Sequence, residues 1–203
     1  MIKIFDDVLP VSIFEDIQHT SIAYDFPWYM GVDIDYDKKA NETFTGLHFN
    51  KNTIPTFQFV HTLYRRKEKN PHISTLSKKF NNPIISFLEK NDIFGTLYQS
   101  KLNLLTNFHR IKNNKQHNIP HVDLDDPHYS ILFYINDSDG DTIFFKERFS
   151  NKRPESVTEI KRISPKANRL VISDGEFHTS TNPINFDFRI VYNAVILKNN
   201  AIT

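Results

Sequence analysis

The second half of the chain is a succession of short β-rich segments separated by turn residues, with no helical pattern between them. Two connections have clear turn chemistry, "NDSDGD" at 136–141 and "SPKAN" at 164–168, and Asn168 suits a left-handed backbone conformation. Six strands at this spacing predict an antiparallel sandwich or a barrel-like jelly roll. The six segments are 96–111, 128–136, 141–146, 156–163, 169–173 and 188–197.

The first half has a different character and predicts helices that pack on one sheet of that jelly roll. "PVSIFEDIQHT" (10–20) has Pro at a helix start and apolar residues at helical spacing. "TIPTFQFVHTLYRRKEK" (53–69) places Phe57, Val60, His61 and Tyr64 on one helical face, and "NNPIISFLEKN" (81–91) opens with Asn before Pro. The fold class is therefore predicted to be α+β.

Composition excludes several classes of protein. Hydrophobic residues make up 39% of the chain and aromatic residues 13%, which is enough to bury a core, so global disorder is excluded. There is no cysteine, so disulfides, thiolate metal sites and cysteine nucleophiles are excluded as well. Any metal must be held by His, Asp, Glu or other oxygen donors.

Charge and hydropathy set the expected surroundings of the protein. The 25 basic and 24 acidic side chains give a net charge of +1, so no nucleic-acid partner is expected. The N-terminal "MIKIFDDVLPVSIFEDI" lacks the pattern of a secretory signal, and no apolar stretch approaches membrane-spanning length. We expect a soluble, cytoplasmic protein without a membrane partner; the oligomeric state stays open.

A group of potential metal ligands lies at the ends of predicted strands. Residues two apart on a strand point to the same face, so His121 and Asp123 can direct an imidazole and a carboxylate to one point. One such pair is expected by chance in a chain with nine His. His178, which follows the segment 169–173, completes a set of two imidazoles and one carboxylate. This is the facial triad of non-haem iron(II) oxygenases.

A basic residue follows the distal histidine at the start of the last predicted strand. Arg189 comes eleven positions after His178 and shares one strand face with Val191, Asn193 and Val195. That apolar face favours an inward guanidinium, which needs an anionic partner because a buried unpaired charge is costly. Iron together with an Arg that holds a carboxylate is the outline of a 2-oxoglutarate site.

An ordered set of motifs resembles the prolyl-4-hydroxylase-like branch of the iron(II)/2-oxoglutarate dioxygenases. The set consists of "HVD" at 121–123, "SILFYINDSDGDTIFF" at 130–145, "NRLVISDGEFHTS" at 168–180 and "RIVYNAVI" at 189–196. Family members typically show a His-x-Asp, a Tyr-Leu-Asn strand, a Gly-Gly-x-Thr turn, a distal His and then a basic residue. Here Asp139-Gly140 replaces the Gly-Gly pair, and the loop before Arg189 is longer than is typical.

The resemblance implies a fold, a reaction and roles for individual residues. The fold is the double-stranded β-helix (jelly roll), and the reaction is hydroxylation of a substrate C–H bond coupled to decarboxylation of 2-oxoglutarate. The cofactors implied are Fe(II), 2-oxoglutarate and O2, with ascorbate as an optional reductant. The implied iron ligands are His121, Asp123 and His178, and the implied cosubstrate-binding residues are Arg189, Tyr134, Thr142 and Asn193.

The resemblance also divides the chain. Residues 1–203 are expected to form a single dioxygenase domain, with mainly helical support and substrate loops in 1–95 and the jelly-roll catalytic core in 96–198. The expected substrate is a peptide, a prolyl residue or a small molecule. The loops at 31–52 and 146–156 are expected to select the substrate, but their sequences resemble no motif that would identify it. His109, His117 and His128 receive no role.

Two other classes of function remain open at the level of the sequence. One is a non-catalytic jelly-roll binding module with a structural or vestigial metal site. The other is a cupin-type metalloenzyme that does not use 2-oxoglutarate; cupins usually supply three or more His ligands, and Arg189 would then have no function. Removal of the Arg189 guanidinium discriminates between these hypotheses, because only the 2-oxoglutarate reading predicts a large loss of cosubstrate affinity.

Overall fold

A large antiparallel sheet organises the protein. The computed structural model describes residues 1–31, 57–67, 69–107, 117–147 and 156–198. Within these ranges the large sheet contains eight strands, in the order β1-β9-β6-β11-β5-β3-β2, with β4 paired to β3. They are β1 (Lys3–Phe5), β2 (Tyr29–Gly31), β3 (Gln58–Arg65), β4 (His72–Ile73), β5 (Thr96–Thr106), β6 (His128–Tyr134), β9 (Arg169–Ser173) and β11 (Phe188–Leu197).

A smaller antiparallel sheet contributes the other wall. Its strands lie in the order β10-β7-β8: β7 (Thr142–Phe145), β8 (Glu159–Ile163) and β10 (His178–Ser180). The segment before β6 adds to its free edge, because the backbone N–H groups of His121 and His178 each donate to the other residue's carbonyl at 2.9 Å. Two sheets joined in this way form the predicted jelly roll.

Two helices cover the outer face of the large sheet, as predicted. Helix α1 (Val11–Ile22) buries Ile17, and helix α2 (Ser77–Lys90) buries residues four apart, Phe80, Ile84 and Leu88. Their apolar faces share one core with every second residue of the central strands, such as Tyr192 of β11. No helix in the described ranges combines the length and the apolar character needed to cross a membrane.

The alternate residues of those strands point between the two sheets. Leu132, Tyr134 and Val191 pack there against Phe144 and Ile163 of the small sheet. The period-two pattern predicted for the last strand therefore holds, because Arg189, Val191 and Asn193 line the inner face while their neighbours in sequence join the helix-side core.

Turn 164–168 also forms as predicted. Asn168 has φ 62°, the left-handed conformation that Asn tolerates better than most residues. Its side-chain oxygen accepts from the Leu9 N–H at 2.9 Å, and its amide donates to the Leu9 carbonyl at 2.8 Å. This turn thus ties the N-terminal segment to β9.

Two of the predicted helices need correction. The helix predicted at 53–69 is wrong over 58–65, which is strand β3, paired with β2, β4 and β5. The helix predicted at 81–91 begins earlier, at Ser77, with Pro83 inside it. Burial of three apolar side chains on one face outweighs the single backbone hydrogen bond that Pro83 removes.

Several sequence predictions fall outside the described residues. They concern His109, residues 32–52 of the predicted loop 31–52, residues 148–155 of the loop 146–156, and the start of the predicted segment 53–69. The assignment of the whole chain to one domain stays a prediction.

Candidate metal centre and its adjoining pocket

The structure brings the three predicted metal ligands together. His178 begins β10, His121 lies opposite it across the backbone bridge, and Asp123 follows two residues later. Among the described residues, these three form the group of His and carboxylate side chains that can hold a metal ion, with ligand atoms within 4.8 Å of one another. His121 Nε2 lies 4.0 Å from Asp123 Oδ1, and His178 Nε2 lies 3.7 Å from Asp123 Oδ2.

Backbone carbonyls orient both imidazoles. The Nδ1 atoms of His121 and His178 lie 3.0 Å from the carbonyl oxygens of Ile119 and Glu176, respectively. A ring nitrogen that meets a carbonyl must carry the proton, so Nε2 of each neutral ring keeps its lone pair. Metal-binding histidines in proteins are oriented in the same way. Both Nε2 atoms face Asp123.

The Asp123 carboxylate is held in its charged form. Burial raises the pKa of this carboxyl. The attraction of His178 and His121, when these are protonated in the absence of a metal, and a hydrogen bond donated by Ser130 outweigh the effect of burial and lower the pKa to about 2. The Ser130 hydroxyl lies 2.5 Å from Asp123 Oδ2. Ser130 belongs to β6, so this contact fixes the carboxylate to the large sheet while His178 belongs to the small one.

A pocket of about 470 Å³, measured to its open mouth, adjoins the triad between the two sheets. Arg189 and Asn193 of β11 line it together with residues of β3 and β5. Three of its described side chains have a buried polar atom that meets no hydrogen-bond partner in the described part of the chain: Asn103 Oδ1, Asn193 Oδ1 and Arg189 Nε. Buried polar atoms are normally paired, so these atoms indicate a polar ligand or ordered water.

Arg189 lies buried inside this pocket, with 3% of its surface exposed. Its Nη2 donates to Thr142 Oγ1 at 2.9 Å, and its Cζ lies 5.5 Å from the centre of the Tyr134 ring. Burial lowers the pKa of Arg189, although a guanidinium with so high an ordinary pKa stays charged. Among the described residues no carboxylate forms an ion pair with it; Asp141 pairs with Arg162 instead, at 3.5 Å.

The other predicted cosubstrate residues surround the guanidinium or lie beyond it. The Tyr134 hydroxyl donates to Thr142 Oγ1 at 2.7 Å, so Thr142 accepts from both Tyr134 and Arg189. The Thr142 hydroxyl hydrogen is then available to a ligand. Burial raises the pKa of Tyr134, which keeps its hydroxyl protonated. Asn193 lines the pocket four residues further along β11, on the side of the triad.

The turn where Asp139-Gly140 replaces the family's Gly-Gly pair lies against Arg189. A Cβ on Gly140 would lie 2.9 Å from Arg189 Cδ and 2.9 Å from the Thr181 carbonyl oxygen. The Asp139 carboxylate accepts from the backbone N–H groups of Ile184 and Asn185, each at 2.9 Å. Asp139 thus anchors the long loop that precedes Arg189.

Sequence reasoning missed four side chains of the site. Ser130 opens the motif 130–145 but received no role, and Lys101, Asn103 and Gln58 belong to no motif. Ser130 contacts Asp123, and the other three residues line the pocket. The available signal was strand periodicity: Asn193 and Val191 lie opposite Lys101 and Asn103 on β5. Strand periodicity identifies these side chains only when it is known that β5 pairs with β11, and a single sequence does not reveal which distant strands pair.

Two of the histidines that received no role, His117 and His128, lie within the described residues and outside the triad. His117 is buried beside Phe145, its Nδ1 lies 2.7 Å from the Asn118 carbonyl oxygen, and burial lowers its pKa. His128 begins β6, with Nδ1 2.7 Å from the Asp126 carbonyl oxygen. Neither belongs to the metal-binding group.

Comparison with known proteins identifies the fold. No protein-family model and no curated protein sequence matches the chain. Among solved structures, an oxidoreductase of the 2OG-Fe(II) oxygenase family from Burkholderia pseudomallei aligns with a TM-score of 0.59 and 12% identity, over 98% of this chain and 87% of that one. The α-ketoglutarate-dependent epimerase SnoN from nogalamycin biosynthesis aligns with a TM-score of 0.57 and 10% identity, over 97% of this chain and 78% of that one.

A prolyl hydroxylase from Trichoplax adhaerens, solved with a peptide fragment of the hypoxia-inducible factor, aligns with a TM-score of 0.53 and 13% identity, over 96% of this chain and 83% of that one. At such identities the likeness is one of fold. The chain has the double-stranded β-helix fold of the 2OG-Fe(II) oxygenases, prolyl hydroxylases among them, and the fold predicted from the motifs is confirmed. These neighbours catalyse different reactions, so the fold does not select a substrate.

Proposed function

We propose that this chain is a non-haem iron(II) dioxygenase that couples oxidative decarboxylation of 2-oxoglutarate to hydroxylation of a substrate C–H bond. The observation that carries the proposal is Arg189, a buried guanidinium without a carboxylate partner among the described residues, in the pocket that adjoins the triad. A buried charge of this kind needs an anion. The distal carboxylate of 2-oxoglutarate supplies one.

The donor set fits iron(II). Two imidazoles, whose Nε2 atoms face the same point as the Asp123 carboxylate, and one ionised carboxylate are the ligand set of non-haem iron sites that keep open coordination positions. When bound there, iron(II) supplies the oxidation: 2-oxoglutarate and O2 yield succinate and CO2, and one oxygen atom enters the substrate C–H bond. His121, Asp123 and His178 would hold the ion.

The protein's own residues bind and orient the cosubstrate. Arg189 pairs with the distal carboxylate, and the Thr142 hydroxyl, fixed by the hydrogen bonds from Arg189 and Tyr134, donates its remaining hydrogen to the same group. Because the guanidinium lies between the two sheets and is almost fully buried, water competes weakly for that carboxylate. Asn193, with an unpaired side-chain oxygen on the triad side, faces the end of the pocket where the reaction takes place.

The substrate proposal is a peptidyl or free prolyl group, or another small molecule. The motif resemblance supports the prolyl option, and the Trichoplax neighbour is a prolyl hydroxylase solved with a peptide. SnoN, solved with Fe3+, α-ketoglutarate and a nogalamycin derivative, supports the small-molecule option. Asp123 favours hydroxylation over halogenation, because halogenating relatives leave that coordination position to chloride.

An anaerobic titration with Fe(II) and 2-oxoglutarate tests the reaction class. The chelate gives a weak visible charge-transfer band, and admission of O2 should then release succinate. His178→Ala should abolish the band. Arg189→Met, which keeps the volume of the side chain, should weaken 2-oxoglutarate binding about ten- to a hundred-fold, since hydrogen bonds to charged groups contribute about 1.5–3 kcal/mol.

Arg66→Ala is the matched control, because Arg66 is an exposed arginine outside the pocket. It should titrate like the parent protein. Metal binding without a 2-oxoglutarate band, or an Arg189→Met protein that binds 2-oxoglutarate as tightly as the parent, contradicts the proposal. The cupin-type or binding-module hypothesis would then take its place.

A further inference from the structure

A second cationic side chain lines the same pocket, away from Arg189. Lys101 of β5 lies directly opposite Asn193 of β11 in the sheet register, whereas Arg189 lies opposite Leu105. These two pairs of opposing residues are four positions apart, which corresponds to about 13 Å along the strands. Lys101 is therefore at the triad end of the pocket, and it is close enough to Asp123 to act on that carboxylate electrostatically.

Lys101 has no partner that explains its position. Lys101 is half-buried, and within the described ranges its side chain forms no hydrogen bond and has no carboxylate within 4.0 Å of its ammonium group. The pocket atoms Asn193 Oδ1 and Asn103 Oδ1 have no hydrogen-bond partner among the described residues either. Lys101 thus borders the polar pocket together with two unsatisfied amide oxygens.

The charges of the described pocket residues, the metal ion and 2-oxoglutarate add up to one uncompensated positive charge. Of its described lining residues, Asp123 contributes one negative charge and Arg189 and Lys101 contribute two positive ones, and the two histidines are neutral as ligands of a bound metal. A divalent metal ion and dianionic 2-oxoglutarate cancel each other. The described residues of the loaded pocket therefore keep a single positive charge, at Lys101, which a monoanionic substrate group would neutralise.

We infer that Lys101 binds a carboxylate, or an equivalent anionic group, of the substrate and thereby directs an adjoining C–H bond to the metal centre. This inference rests on the proposed function and narrows its substrate class to acids. The free asparagine oxygens beside Lys101 can accept from an N–H or O–H group of the same molecule. A free amino acid, an N-acyl amino acid or the C-terminus of a peptide has both features; an internal peptide residue lacks the carboxylate.

Ligand-observed NMR tests this without a known substrate. The protein is loaded with Mn(II), which blocks turnover and broadens the signals of ligands that bind close to it. A panel of small carboxylic acids is then compared with their primary amides; N-acetyl-L-proline and its amide form one pair. The panel is measured with and without saturating 2-oxoglutarate.

With 2-oxoglutarate present, the parent protein should broaden the signals of acids in preference to those of their amides. Lys101→Met should weaken acid binding about ten- to a hundred-fold, the range expected for a charged hydrogen bond, and Lys101→Arg should restore much of it. Lys161→Met is the control: it removes one positive charge from the exposed strand β8 and should bind acids like the parent protein.

Three results would overturn the inference: no preference for acids, a preference that survives in Lys101→Met, and acid binding that disappears once 2-oxoglutarate is added. The last result would place the acids in the Arg189 site. A loss of 2-oxoglutarate affinity in Lys101→Met equal to that in Arg189→Met would also overturn it, since Lys101 would then bind the cosubstrate. Failure of the proposed function itself is seen separately, as absence of 2-oxoglutarate binding by the parent protein.

Discussion

Gly140 lies against the side chain of Arg189, in a space that a side chain on residue 140 could not share with it. A Cβ at residue 140 would lie 2.9 Å from Arg189 Cδ and an equal distance from the Thr181 carbonyl oxygen, and 3.1 Å from the Pro183 nitrogen. The backbone atoms cannot move aside without shifting the loop. Only the arginine side chain can, and it would lose its bond to Thr142.

Gly140→Ala is therefore expected to weaken 2-oxoglutarate binding about ten-fold, with a loss of about 1–3 kcal/mol in the free energy of unfolding from overpacking. Titration of the Fe(II)-loaded protein and urea unfolding measure the two effects. Gly31→Ala is the control, because a Cβ at residue 31 would meet nothing closer than 3.4 Å. Unchanged 2-oxoglutarate affinity in Gly140→Ala would show that Arg189 does not depend on this contact.

Ser130→Ala should weaken metal binding. The hydroxyl holds Asp123 Oδ2 and helps to lower the pKa of that carboxyl, so its removal raises the pKa and frees the ligand to rotate. Loss of such a partner typically reduces metal affinity about ten- to a hundred-fold. A competition titration with Co(II) or Zn(II) measures it.

Ser173→Ala is matched to Ser130→Ala. Ser173 faces Ser130 across the β6–β9 pair and is equally buried, but its hydroxyl has no hydrogen-bond partner within the described ranges. Its removal should leave metal affinity unchanged, because it does not contact a metal ligand. Equal losses in the two variants would attribute the effect to sheet packing.

Thr142→Val should destabilise the pocket. The substitution leaves the Tyr134 hydroxyl and one nitrogen of Arg189 without their acceptor, and all three side chains are buried. Each unsatisfied group costs about 1–3 kcal/mol. We expect a lower free energy of unfolding in urea, together with weaker 2-oxoglutarate binding, because the threonine hydroxyl is also a proposed donor to the cosubstrate.

The comparison for this variant is Thr181→Val. Thr181 is as buried as Thr142, and its hydroxyl has no hydrogen-bond partner among the described residues. Removal of that hydroxyl should not lower the free energy of unfolding, because no such bond is lost and an unsatisfied buried group is itself unfavourable. If the two variants are equally stable and bind 2-oxoglutarate equally well, the Thr142 hydrogen bonds contribute nothing measurable.

Asp6 gives the fold an acid-sensitive contact between β1 and β9. Arg169 donates to both Asp6 oxygens, at 2.7 and 3.1 Å, and this hydrogen bonding lowers the pKa of Asp6 from 3.8 to about 2. A group whose pKa is lower in the folded state stabilises the fold above its unfolded pKa, and the contribution is lost as the pH falls through the folded value. The loss should therefore fall between about pH 4 and about pH 2.

Asp6→Asn should remove that part of the pH dependence of unfolding, as measured by urea titrations across the acid range. The effect is small, because the pair is partly exposed and screened by solvent. Asp7→Asn, at the more exposed neighbouring carboxyl, should keep the dependence of the parent protein. Identical pH profiles for Asp6→Asn and the parent would contradict the assignment.

The second half of the fold could be predicted because its signals are local. Turn residues separate the strands of the second half, alternation places Arg189 and Val191 on one face, and Asn168 marks its own left-handed turn. Strand β3 could not be predicted in this way. Its Val60, His61 and Tyr64 also fit helical spacing, and only pairing with β5, far along the chain, makes it a strand.

The same limit applies to the site. His121, Asp123, His178 and Arg189 stand in a recognisable order along the chain, whereas Lys101 enters the pocket solely because β5 pairs with β11. When the role of a side chain depends on a partner strand nearly a hundred residues away, the local sequence around that side chain contains no pattern that predicts the role. Contacts of that kind follow from topology, which local patterns do not encode.

The distribution of the triad over both sheets has a consequence for cooperativity. His178 and His121 lie on the small sheet, Asp123 is fixed to the large one through Ser130, and Arg189 reaches back to Thr142. An ion and a dicarboxylate bound here act as non-covalent cross-links that only the native chain can form. By mass action they raise the free energy of any opening that separates the sheets. Amide hydrogens of β7 and β10 should then exchange more slowly in the loaded protein than in the metal-free one. Ligand binding and the separation of the two sheets are therefore coupled equilibria.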